Sequence, residues 1–89
     1  MEQMVALIEE LEASDLEPRQ YLDYADHPNV QPIAIMLEAI FITVKGNINL
    51  DARDDLRQYY GYELHPVEHD SWGWIVGGLH TKKGIITFG

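Results

Sequence analysis

The stretch His65-Pro66-Val67-Glu68-His69-Asp70, with His80 further along, brings imidazoles and carboxylates together in a short span. Those groups are zinc ligands, and on an extended strand His65 and His69 face the same side. At ~3.3 Å per residue, however, they stand ~13 Å apart, so they could share an ion only if the chain bent at Pro66. A helical metalloprotease pairing is excluded, because Pro66 directly follows His65 and breaks the helix such a motif requires. No cysteine is available to complete a structural zinc site. A metal-dependent site around His65 and His69 therefore ranks third among the functional readings, and the expectation is a polar loop with no metal or cofactor.

Nucleophilic chemistry finds less support. His69, Asp70 and Ser71 are consecutive, and successive side chains of an extended chain diverge, so they cannot orient one another as a triad does. No GxSxG elbow or phosphate-binding glycine loop is present. Gly77-Gly78 lies in a strand pattern, where glycines mark a bulge or the close approach of another part of the chain. With 15 acids some carboxylate pairs arise by chance, so they do not argue for general acid–base catalysis. No catalytic residue is assigned, and the expectation is a non-enzymatic protein.

Contact chemistry is better represented. Tyr59, Tyr60, Tyr62, Trp72 and Trp74 form an aromatic group, and such residues are enriched at binding hot spots. Trp74 is expected in the core, whereas Trp72, between Ser71 and Gly73, is a candidate contact residue on a loop. Acids are concentrated before Val30, where Glu2, Glu9, Glu10, Glu12, Asp15, Glu17, Asp23 and Asp26 face Arg19 alone; the rest of the chain holds seven acids and five bases. Carboxylates displayed on helices can imitate the phosphates of DNA, so an acidic inhibitor occupying a basic nucleic-acid-binding partner is the second reading.

These side chains need elements to hold them. Met4, Leu7, Ile8 and Leu11 follow one helical stripe and predict a helix over residues 2–13. Ser14-Asp15-Leu16-Glu17 matches a capping box, with Pro18 suited to an early turn, which predicts a second helix to about Ala25. Ile33, Leu37, Ile40, Phe41 and Val44 keep helical spacing between a capping Asn29 and a terminating Gly46. The β-branched Ile33, Ile35, Ile40, Ile42, Thr43 and Val44 argue for strand, but the run is about twice the usual strand length, so residues 33–44 are read as helix. With Ile35, Met36 and Ile42 off the main stripe, that helix is apolar nearly all round and belongs at the centre of the fold or in an interface.

A further helix is predicted over residues 51–60, stopped by Gly61. Strands follow over 62–67, with Pro66 implying an edge, and over 74–79 and 85–88, the last two joined by a Thr81-Lys82-Lys83-Gly84 turn with Gly84 at a left-handed position. The expected fold is a single α+β domain over residues 1–89, with three or four N-terminal helices packed on a C-terminal antiparallel sheet of about three strands. The strand 85–88 carries no charge of its own; either it lies inside the sheet or it pairs across an interface, which makes Ile85 and Phe88 candidate interaction residues beside Trp72.

Composition narrows the function further. A net charge of −9 with six Lys or Arg leaves no basic patch for direct nucleic-acid binding. The apolar run ending at Val44 is shorter than the ~20 residues a bilayer requires, and Met1-Glu2-Gln3-Met4 lacks a basic signal region, so a cytoplasmic, non-membrane protein is expected. A domain this small buries only ~60 to 65% of its unfolded surface, which favours extra burial against a partner. The first reading is accordingly a non-enzymatic protein-interaction module acting as a homodimer.

Overall fold

In the computed structural model, which describes residues 1–66 and 76–89, the first apolar stripe folds as α1 (Glu2–Glu12), with Met4, Val5, Ile8 and Leu11 buried. Ser14 closes this helix. Its Oγ donates to the Leu11 carbonyl at 2.6 Å and accepts the Leu16 N–H at 3.4 Å. The hydroxyl expected to begin a second helix is thus used to finish the first, and residues 15–25 do not form the predicted helix.

That segment is irregular instead, with residues 19–22 laid against the last strand, for a tertiary reason. The Arg19 and Leu22 N–H groups donate to the Lys83 and Ile85 carbonyls at 3.0 and 2.9 Å, and the Ile85 N–H donates to the Gln20 carbonyl at 3.0 Å. Tyr21 and Ile85 form a parallel bridge, and Leu22 is buried. A helix here would satisfy its own backbone but leave the edge of the last strand bare. Arg19 Nη1 then meets Asp26 Oδ1 at 2.8 Å, while Asp26 Oδ2 accepts the Asp23 N–H at 2.6 Å, closing a turn before the next helix.

The central apolar run is a helix, α2 (Val30–Phe41), with Val30, Ile33, Ala34, Leu37 and Phe41 buried. It ends three residues before the predicted Val44. Ile42 is extended and bridges Ile48, with Val44 fully exposed in the turn between them. The β-branched Ile42-Thr43-Val44 take the backbone they favour once no further turn of helix has core to cover. Asn29 occupies the N-cap position, but its amide makes no cap bond; Nδ2 donates to the Leu7 carbonyl of α1 at 3.0 Å.

The next helix, α3 (Leu50–Tyr60), is capped by the Asn49 side chain, which accepts the Ala52 N–H, and stops at Gly61 with φ of 76°, as its sequence predicts. β1 (Leu64–Pro66), β2 (Gly77–Thr81) and β3 (Gly84–Phe88) form an antiparallel sheet in that order, so Pro66 lies on an edge strand. Leu64 pairs with Leu79, and Leu79 with Ile86, placing these three side chains on the inner face. Above them α2 packs on β3 and on α1, while α3 packs on α2 and β1, and one apolar cluster joins all six elements.

The chain is therefore α+β, with three helices preceding a three-stranded antiparallel sheet among the described residues. No helix among them is long and apolar enough to cross a membrane. Two glycines are demanded by close approach. A Cβ on Gly77 would lie 2.6 Å from the Phe88 ring, and one on Gly84 would lie 2.7 Å from the Arg19 carbonyl oxygen.

Candidate functional site

The register that buries Leu64 opposite Leu79 turns His65 and His80 to the outer face of the sheet. They are diagonal neighbours across the pair of strands, both exposed, and His65 Nε2 contacts His80 Nε2 directly. The ring centroids are 4.5 Å apart and the planes are inclined by 57°. His65 Nδ1 faces the Pro66 carbonyl oxygen at 3.2 Å.

Shallow clefts lie on either side of this pair. One, of about 120 Å³, is lined by Arg53, Arg57, Glu63, Leu64 and His65. The other, of about 260 Å³, is lined by Glu12, Gly61, Tyr62, Glu63, His80, Thr81 and Lys82. Both fall short of the ~300 Å³ typical of a small-molecule pocket, so they suit an ion or a single side chain. Glu63 borders both clefts, and its carbonyl accepts the His80 N–H at 2.9 Å.

Glu12, the last residue of α1, holds the rim of the second cleft. Oε1 accepts the Tyr62 hydroxyl and Oε2 accepts the Lys82 N–H, both at 2.8 Å. One carboxylate of the acid-rich segment is thus a structural clamp between α1 and the β2–β3 turn. Burial, the hydrogen bond to Glu12 and the nearby charges of Glu12 and Glu9 together push the Tyr62 phenol far above its ordinary value.

Folded protein keeps the Tyr62 proton where the unfolded chain begins to release it, near pH 10, so the associated stability is complete below that pH and is lost as pH rises above it. Tyr62→Phe is expected to flatten the fall in stability above about pH 10. Urea unfolding across the alkaline range checks this, and identical slopes for the two proteins would contradict it.

The residues singled out by the sequence have separate fates. His65 is brought together with His80, which sequence spacing left unassigned, while His69 and Trp72 lie outside the described residues. Among the described residues no group of three or more His, Asp or Glu is arranged to hold a metal. Phe88 is buried against Gly77, and Ile85 is half-buried with its outward backbone groups bonded to Gln20 and Leu22. The edge of β3 at Ile85 is therefore occupied by the chain's own segment. The chain matches no family model, no curated protein and no solved structure with which it was compared.

Proposed function

We propose that this protein is a non-enzymatic protein-interaction module that self-associates through the outer stripe of α2. The observation that carries the reading is Ile35, 58% exposed at mid-helix, with Ala39 exposed one turn later and Met36 and Ile42 half-buried beside them. Gln31 and Glu38 border this stripe, and Glu38 Oε1 accepts the Gly89 N–H at 3.4 Å. Apolar surface of this kind on the central helix is what an interface would cover. A standard interface takes roughly 800 Å² from each partner, about a seventh of the 5803 Å² exposed here, so polar neighbours of the stripe must join it. In this reading Trp72 is a further contact residue.

The acidic-inhibitor alternative is the weaker of the two. With residues 15–25 outside any helix, its carboxylates do not line two helices, and Glu12 and Asp26 are engaged within the chain. Salt separates the readings, since apolar association survives ~0.5 M salt, where the Debye length is about 4 Å, whereas charge mimicry collapses.

Ile35→Asp tests the surface. Ile35 is 58% exposed, so covering it contributes a little over half of the ~1.5–3 kcal/mol of a full burial, and a two-fold interface uses it twice; the variant is expected to raise the dimer dissociation constant at least ~10-fold without unfolding the monomer. Dimerisation unchanged in sedimentation velocity would rule out this face.

A further inference from the structure

We propose that His65 and His80 together form a binding site for a borderline divalent transition ion such as Zn2+, Ni2+ or Cu2+. This site lies on the outer face of the sheet and does not depend on the interaction reading.

The two imidazoles converge. His65 Nε2 and His80 Nε2 are in contact, so one ring nitrogen donates and the other accepts. Two nitrogens aimed at one point are bridged there by a single proton, and a metal ion can take that place. Around a tetrahedral ion with bonds of 2.0–2.1 Å, two imidazole nitrogens stand ~3.3 Å apart. Both side chains are exposed on adjacent strands, so small χ rotations supply the needed separation.

His65 is also supported from behind. With Nδ1 protonated and donating to the Pro66 carbonyl at 3.2 Å, Nε2 is left bare and directed at His80. A ligating histidine commonly has this arrangement, its other ring nitrogen tied to a backbone carbonyl that fixes tautomer and orientation. His80 then carries the bridging proton on Nε2. Its transfer to Nδ1 through solvent frees the second lone pair, so the neutral pair takes up the ion with no change in proton count.

The ligand chemistry selects the metal. Imidazole suits zinc, nickel and copper, whereas Mg2+ and Ca2+ require oxygen ligands. Among the described residues no third His, Asp or Glu joins the pair, so within them the site is a two-imidazole one. Affinity is expected to follow the Irving–Williams order, with Cu2+ ahead of Ni2+ and Zn2+.

Titration calorimetry of the tag-free full chain with NiCl2, ZnCl2 and MgCl2 tests the site. One equivalent of Ni2+ or Zn2+ should bind and Mg2+ should not. His65→Gln and His80→Gln should each weaken binding by no less than the roughly 10- to 100-fold that loss of a mere supporting group costs. The double variant should be scarcely worse than either single one, because one imidazole alone is a poor site. Circular dichroism verifies that the variants fold, and long-range 1H–15N spectra of the original protein should show Zn2+ shifting Nε2 of both rings. Absence of binding, original affinity in either His65→Gln or His80→Gln, or a shift confined to one ring would overturn the assignment.

Discussion

Replacing Gly84 with valine is expected to destabilise the fold by about 3 kcal/mol or more, the sum of a strained backbone and a broken edge. Gly84 has φ of 146°, a region that residues with a Cβ rarely adopt, and that strain alone costs of order 1–3 kcal/mol. The new Cβ would also sit 2.7 Å from the Arg19 carbonyl oxygen and 3.1 Å from Leu22 Cγ. Backbone cannot swing aside as a side chain can, so the 19–22 segment must lift from β3. Three backbone hydrogen bonds go with it, each worth ~0.5–1.5 kcal/mol net, together with the burial of Leu22. Total stability for a chain of 89 residues is about 4–13 kcal/mol at ~0.05–0.15 kcal/mol per residue, so the loss is a large share. Urea denaturation gives the figure directly. A loss under about 1 kcal/mol would mean that the segment does not cross Gly84 as described.

Phe41→Ala is the second large effect, expected at about 3–5 kcal/mol. Phe41 is wholly buried at the last turn of α2, where the chain leaves the helix for the Ile42–Ile48 bridge. Its removal deletes a large apolar surface and leaves a cavity that neighbours bound to α2 and to the sheet cannot fully close. Val44, three residues on, is the internal comparison. It is as apolar as any core residue but fully exposed, so Val44→Thr should change stability by no more than ~0.5 kcal/mol. Similar losses for the two substitutions, measured by urea unfolding, would contradict the placement of the end of α2.

The contrast between Phe41 and Val44 shows where the sequence was legible. Both keep the helical period, and periodicity correctly identified the helix, but its end depended on where the core stops, which is a tertiary fact. Gly61 could be read as a stop because its left-handed φ is a local requirement. Ser14 was ambiguous for the opposite reason. A hydroxyl that both follows a helix and opens an S-x-x-E pattern can close the first helix or cap a second, and the choice here was made by β3, distant in sequence, which needed the 19–22 backbone at its edge.

The histidine pair failed to show for a related reason. Spacing along one strand linked His65 to His69, whereas contact across strands depends on register. The dipeptide Leu64-His65 recurs as Leu79-His80, and aligning the two leucines inward turns both histidines outward together. That repeat was present in the sequence, but it became informative only once β1 and β2 were known to be neighbours. The uncharged strand at the C-terminus left two placements open, inside the sheet or across an interface; its apolar residues mark a surface that must be covered, and at Ile85 the cover comes from the same chain.

With that edge occupied, the proposed self-association falls to α2, and sedimentation equilibrium of the full chain in ~0.5 M NaCl measures it with charge effects screened. The mass should rise with concentration from 10.2 kDa toward twice that value, and Ile35→Asp should hold it at the monomer mass. A mass of 10.2 kDa at every concentration of the unsubstituted protein would rule out self-association.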